Sequence, residues 1–327
     1  MFELIRPGTQ IDFVGKRKLW MGLSVLAVLV TLALFFTKGL NYGIDFTGGA
    51  EVQVRTPIAW EIGQLRSEME MGGLKNLKIQ QIGDVAQHTF LIKAQGDEKS
   101  LNEISQVVQS VFLKTLQKGD FEIQRVDVVG PAAGKSLQMS GLWSMVLALT
   151  CIFLYVWLRF DNRYSPGAVL ALIHDSMITL GVFIVTQKQF DLQILAALLA
   201  LIGYSNNDTI IVYDRVRETT DAHPELTIDQ AVNRAINETL GRTILTSLCT
   251  FLTVFALWMF GGKVIEDFAF TLMVGIVIGT YSSIFVASSF VIFMSHYLDD
   301  KATKAKAAGV PLTKNRDYPS RTEIKAN

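Results

Sequence analysis

Several ionisable side chains of this chain fall inside sequence that is otherwise soluble in lipid. The stretch LLALIGYSNNDTIIVYDRVRE, residues 198–218, runs apolar to Gly203, introduces Asn206, Asn207 and Asp208, then returns to Thr209-Ile210-Ile211-Val212 without a break in helical spacing. Ala200, Tyr204, Ser205 and Asp208 recur at that spacing and make a small, polar stripe. A charge at the centre of a membrane helix costs about 2.5–3.5 kcal/mol or more. Either Asp208 does work there, or the span ends near Tyr204 and Asp208 caps it; the immediate return of the apolar run favours the first reading. A second stretch, ALIHDSMIT, sets His174 beside Asp175, where neighbours on a helix point different ways. Asp175 reads equally as hydrogen-bonding glue between helices or as part of an ion relay. Arg242 opens the next apolar run and reads either as an interfacial arginine that snorkels or as a partner for Asp208. Burial disfavours a charged carboxylate and a nearby arginine favours it, so an aspartate that gains and loses an arginine is a proton switch by class. Asn207 and Ser205 flank that position.

The elements that must hold these groups follow from composition. The chain has 327 residues, 50% hydrophobic and 18% charged, with 30 basic and 30 acidic side chains, so the formal net charge is zero. That points to a membrane protein and gives no support to a nucleic-acid partner. A span needs roughly 20 apolar residues. Six segments qualify, at about 19–36, 140–158, 166–186, 192–213, 243–260 and 268–294. The first follows GKRKLW and reads as a retained anchor, being longer than a signal-peptide apolar run and lacking a small-residue cleavage pattern. Lys and Arg concentrate in 1–18, near Arg159 and Arg163, from Arg215 to Arg242 and in the tail 295–327, which places both termini in the cytoplasm. Cys151 and Cys249 fall inside spans, read as small packing residues and exclude a disulfide framework.

Residues 37–138, between the first two spans, are enough for a small exported domain. EVQVRT alternates as a strand, PIAWEIGQLRSEMEM has helical spacing, LKIQQI and HTFLIKA are two further strands, and Leu101, Ile104, Val107, Val108, Val111 and Phe112 share a helix face before the strand FEIQRVDVVG. The order β-α-β-β-α-β predicts a ferredoxin-like α+β domain. Residues 139–294 hold a five-helix bundle with short connections, so neighbours are antiparallel. Its long inner link carries an amphipathic helix over about 227–240, opened by a capping box of Thr227 and Gln230 and lying on the membrane surface or on the bundle. Gly275, Gly279, Ser283 and Ala287 make a small-residue stripe for close helix approach. The fold class is thus a polytopic α-helical membrane protein of 1+5 spans. There is no His/Cys cluster at metal-ligand spacing, no phosphate loop and no serine–base pair that would suggest an intramembrane hydrolase; His88 reads as an ordinary surface residue in a strand.

NYGIDFTGG after the first span, ALIHD in the third, GYSNNDTIIVYDRVRE in the fourth, RTILTSLCTF opening the fifth and VIEDFAFTLMVGIVIGTYSSIFVAS through the sixth occur in order over nearly the whole chain. Together they resemble the SecD/SecF family of protein-export membrane proteins in the resistance-nodulation-division superfamily. One small exported domain resembles the SecF side of it. The resemblance implies pairing with SecD into a pseudo-symmetric bundle in the bacterial inner membrane and a periplasmic position for the small domain. It further implies a non-enzymatic role assisting SecYEG and SecA, with YajC and YidC as further partners, in moving preproteins on a proton or sodium gradient. It assigns ion coupling to the positions of Asp208 and Arg242, needs no cofactor or metal, and marks Asp45, Phe46, Gly48 and Gly49 as its motif after the first span. Asn206 departs from the apolar residue often expected there but leaves Asp208 in register. A passive scaffold and half of a small-molecule exporter are the competing readings.

Overall fold

The computed structural model describes residues 9–82, 88–95, 101–115, 121–160, 162–262 and 264–307. In chain order the elements are α1 (Arg17–Lys38), α2 (Ile44–Thr47), β1 (Gly49–Arg55), α3 (Ile62–Met71), β2 (Lys75–Ile82), β3 (Thr89–Gln95), α4 (Leu101–Thr115) and β4 (Glu122–Val129). The membrane helices α5 (Pro131–Arg159), α6 (Ser165–Thr186), α7 (Leu192–Ala222), α8 (Ile228–Phe260), α9 (Glu266–Ser282) and α10 (Ser288–Ala307) follow, with a π-helical turn over Ser283–Ala287 between the last two.

The four strands form one antiparallel sheet in the order β2-β3-β1-β4. This is the ferredoxin-like arrangement, and its cause is strict alternation. Ala50, Val52 and Val54 of β1 face Ala94, Ile92 and Phe90 of β3 in register, all fully buried, beneath Leu65 and Met69 of α3 and Val108, Val111 and Phe112 of α4. Intervening side chains such as Glu51 and Lys93 form a polar second face. α3 begins four residues later than Ile58, which stays exposed because Pro57–Glu61 remain outside the helix. His88 immediately precedes β3 rather than lying in a strand, at φ 44°, and its carbonyl accepts the Thr56 amide.

Among the described residues six helical segments are long and apolar enough to cross a membrane, so the protein is a multi-pass membrane protein. α6, α7 and the α9–α10 span are the interior of the bundle, whereas α1, α5 and α8 expose most of their apolar side chains outward. Cys151 and Cys249 belong to those outer faces of α5 and α8 and are exposed, so they do not pack the bundle.

Two helices outrun their apolar stretches. α7 continues past residue 213 to Ala222, and α8 fuses the amphipathic segment 227–240 and the apolar run 243–260 into one 33-residue helix. The Thr227–Gln230 capping box starts α8, but the helix runs unbroken through residue 240, and a Cβ at Gly241 would meet nothing within 4 Å. Val232, Ala235, Ile236 and Leu240 share a buried cluster with Val212, Tyr213 and Val216 of α7, so the stripe serves the bundle and not a lipid surface. The sixth span is interrupted at the π turn, where the Ser288 hydroxyl bonds the carbonyl of Ser283 five residues back. Residues 1–8 and the tail beyond 307 lie outside the described residues.

Candidate ion-coupling site

The motif after α1 is built as a joint. Asp45, in the single turn α2, accepts the Leu192 amide at 3.0 Å, while Asp191 accepts the Ile194 amide at 3.1 Å, so two carboxylates close the N-terminus of α7. Burial pushes the Asp191 carboxyl up, against the pull of the Ile194 amide and Lys93. Phe46 stacks on Phe190 with ring centroids 5.6 Å apart, inside a cluster with Phe183, Ile194 and Leu198. Gly48, at φ 80°, lies where a Cβ would meet the Pro131 backbone at 3.0 Å, and one on Gly49 would meet the Ala94 carbonyl at 2.4 Å. The motif therefore ties the start of β1 to α5 and α7 and holds no ionisable group free for transport chemistry.

The polar face of the sheet rests on the same end of the bundle. Lys93 pairs with Glu51 at 2.8 Å, and Lys78 of β2 reaches Asp267 in the first turn of α9 at 3.1 Å. Asp267 also receives Lys188 from the α6–α7 connection at 2.5 Å. α9 is thus anchored at one end by the α+β domain.

Along its length α9 touches α7 through the small-residue stripe. A Cβ on Gly275 would lie 2.4 Å from Leu201 Cδ2, and one on Gly279 would lie 3.0 Å from both Cβ and Oγ of Ser205. Ala287, the last residue of the π turn, continues the stripe; its carbonyl accepts the Tyr213 hydroxyl at 3.3 Å. Ser283 instead turns back on its own helix, bonding the Thr280 carbonyl.

This close approach assembles two polar centres. In the first, Asp175 is 1% exposed. Its Oδ2 accepts from Ser205 Oγ at 2.6 Å and Ser282 Oγ at 2.8 Å, and its Oδ1 lies 2.9 Å from His174 Nδ1. In the second, Asp208, also 1% exposed, accepts from Ser247 Oγ of α8 at 3.2 Å. Ser247 is in turn bonded by Thr280 Oγ1 of α9 at 2.8 Å, and the Asn207 side chain is a further partner of Asp208. Asn206 is buried and its Oδ1 has no partner among the described residues. Asp208 therefore sits within a continuing helix and caps nothing.

Arg242 shares α8 with Ser247, but it is exposed, and no ion pair within 4.0 Å joins it to Asp208 among the described residues. Sequence reasoning missed Ser247, Thr280 and Ser282. Their signal is a hydroxyl on the helix face that meets a buried carboxylate, and at 282/283 a one-residue choice of face picked Ser283, whereas Ser282 makes the contact.

Against known families, residues 108–297 match the family model for the C-terminal region of the protein export membrane proteins SecD and SecF, and residues 33–56 match the SecD/SecF GG motif. The chain belongs to the SecD/SecF family. Within it, this chain is 44% identical to the protein translocase subunit SecF of Calditerrivibrio nitroreducens, over 88% of this chain and 95% of that one. It is 35% identical to SecF of Pseudomonas aeruginosa over 90% of this chain and 95% of that one. The SecDF translocase subunit of Brucella abortus matches at 37% identity over 88% of this chain, which is 37% of that longer one. Among solved structures, SecDF of Thermus thermophilus, a translocon-associated membrane protein, superposes with a TM-score of 0.76 at 34% identity, covering 88% of this chain and 39% of that chain. The SecF-like part of these longer SecDF chains implies SecD as a partner of this family member.

Proposed function

We propose that this SecD/SecF family member is the SecF-type subunit of a motor in the bacterial inner membrane, pairing with SecD and drawing preproteins through a SecYEG channel fed by SecA. A proton or sodium gradient acts at Asp208. The observation that carries the reading is the placement of Asp208: a carboxylate 1% exposed in the middle of α7, met by the neutral Ser247 hydroxyl, with Arg242 exposed on the same helix as Ser247 and not paired with the carboxylate among the described residues. A carboxylate held so can exchange a neutral for a charged partner, which is what coupling to an ion requires.

The Lys and Arg distribution supports cytoplasmic termini and a periplasmic α+β domain. In this reading the protein is no enzyme and needs no metal or cofactor; YajC and YidC join as accessory partners. The test is preprotein translocation into vesicles containing the channel, the ATPase and the SecD partner, with proton and sodium gradients imposed separately. Asp208→Asn at matched abundance loses the gradient-dependent part, and the gradient that mattered names the ion. Unchanged transport would refute the reading and favour the scaffold.

A further inference from the structure

The mechanism above leaves one buried titratable pair unused, His174 and Asp175 on α6. Ser205 and Ser282 both donate to Asp175 Oδ2, and the His174 ring nitrogen Nδ1 stands 2.9 Å from Oδ1. An ionised carboxylate only accepts, so these three contacts are all satisfied at once when Asp175 is charged and His174 carries its proton on Nδ1. The other assignment, a carboxyl proton on Oδ1 donated to Nδ1, would leave an unpartnered N–H on Nε2, so the lone pair is placed on Nε2. That atom is buried and has no hydrogen-bond partner among the described residues. His174 itself is 5% exposed, and its ring lies over that of Tyr281 with centroids 6.0 Å apart and planes at 26°.

From this geometry we infer that His174 Nε2 is a proton-binding station of the membrane bundle, with Asp175 as its fixed counter-charge, separate from Asp208. The inference rests on the ion-coupled reading of the bundle and adds the proton as the ion at this station. Binding forms one N–H bond on Nε2 from a proton supplied by the aqueous side, and gives an imidazolium whose charge Asp175 offsets. Release returns the neutral Nδ1–H tautomer, so no other bond changes.

The surroundings fit a single proton. α9 presents Tyr281, whose hydroxyl is committed to the Trp20 carbonyl at 2.9 Å and to Ser24 Oγ at 2.8 Å. α1 brings no titratable side chain between Lys18 and Lys38. α7 presents Ser205 to the pair, with Asp208 one turn farther along. On α5, Cys151 and Tyr155 are exposed outward. Asp175 is the one carboxylate in contact with the ring among the described residues. The pair also sits beside the π turn that follows Ser282, and such turns are frequent at functional sites. A register change of α9 would remove Ser282 from Asp175 and so alter how strongly the counter-charge holds the proton.

The test uses the full chain with its SecD partner in the same vesicles. His174→Asn keeps an amide donor where Nδ1 stands, so Asp175 retains its contact, but nothing in the new side chain can titrate. The expected result is loss of the proton-driven part of translocation, with ATP-driven translocation unchanged. In parallel, nitrogen NMR of the native chain labelled at histidine follows Nε2 from about pH 8 to about pH 5, bracketing the ordinary imidazole pKa of about 6.5. The expected signature is a lone-pair nitrogen that becomes protonated. Full proton-driven transport in His174→Asn while Asp208→Asn abolishes it would overturn this inference alone; full transport in both would overturn the coupling reading as well. If His174→Asn fails to fold, the NMR titration decides, and an Nε2 that stays in one state over the whole range overturns the inference.

Discussion

Replacing Gly279 by alanine tests whether close contact between α7 and α9 sets the polar centres. The added Cβ would lie 3.0 Å from Ser205 Cβ and Oγ and 3.5 Å from its Cα. Carbon atoms in contact sit about 3.5–4.0 Å apart, so the helices must separate by roughly 0.5–1.0 Å or Ser205 must leave its rotamer. Neither is free, because Ser205 Oγ is held 2.6 Å from Asp175 and both residues are buried. Overpacking of this size costs about 1–3 kcal/mol. With about 1.4 kcal/mol per factor of ten, the well-packed arrangement loses roughly 5- to 150-fold in population. Thermal unfolding in detergent reads the stability loss, and gradient-driven translocation reads the function. Gly203→Ala is the control, since its Cβ would meet nothing within 4 Å. A Gly279→Ala protein as stable and as active as the control would refute the idea that this contact positions Ser205.

Two further outcomes follow from the joint between the sheet and the bundle. Asp45→Ala removes the acceptor of the Leu192 amide and should weaken the start of α7 by about 1 kcal/mol, read as faster hydrogen exchange at Leu192, whereas Asp45→Asn keeps an acceptor and should change little. Burial opposes the charge on Lys93, yet the hydrogen bond and attraction of Glu51, with Asp191 and Asp45 beyond, hold its pKa above the ordinary lysine value. Its contribution to stability is therefore fully present below about pH 10, near the ordinary lysine pKa, and lost as pH rises through the raised one. Thermal unfolding compared at neutral and strongly alkaline pH should show a steeper alkaline loss for the native chain than for Lys93→Met.

Much of this was legible without coordinates, for identifiable reasons. The alternation of Ala50, Val52 and Val54 and of Phe90, Ile92 and Ala94 specifies the sheet, because shifting either strand by one residue would turn its apolar set outward. The Gly275 and Gly279 stripe marks the α7–α9 contact, because small residues are what let membrane helices approach. Helix ends were harder to read. α7 and α8 extend together beyond their apolar runs because Val216 and Ile236 bury each other's neighbourhood, a pairing that hydropathy along one segment does not register. The partners of the two carboxylates were hidden for a related reason: Ser247 and Ser282 lie on other helices, so only the packing shows that they meet Asp208 and Asp175 and that Thr280 backs Ser247. Arg242 illustrates the opposite case. Its position allowed contact with Asp208, and the structure leaves Arg242 exposed.

The most direct test of the central claim is ion movement itself. The chain and its SecD partner, reconstituted in vesicles enclosing a pH-sensitive dye or a sodium-sensitive dye, should carry one of the two ions down its gradient, and Asp208→Asn should abolish that flux at equal protein content. A flux of the same size in Asp208→Asn would contradict the account and remove Asp208 from the path of the ion.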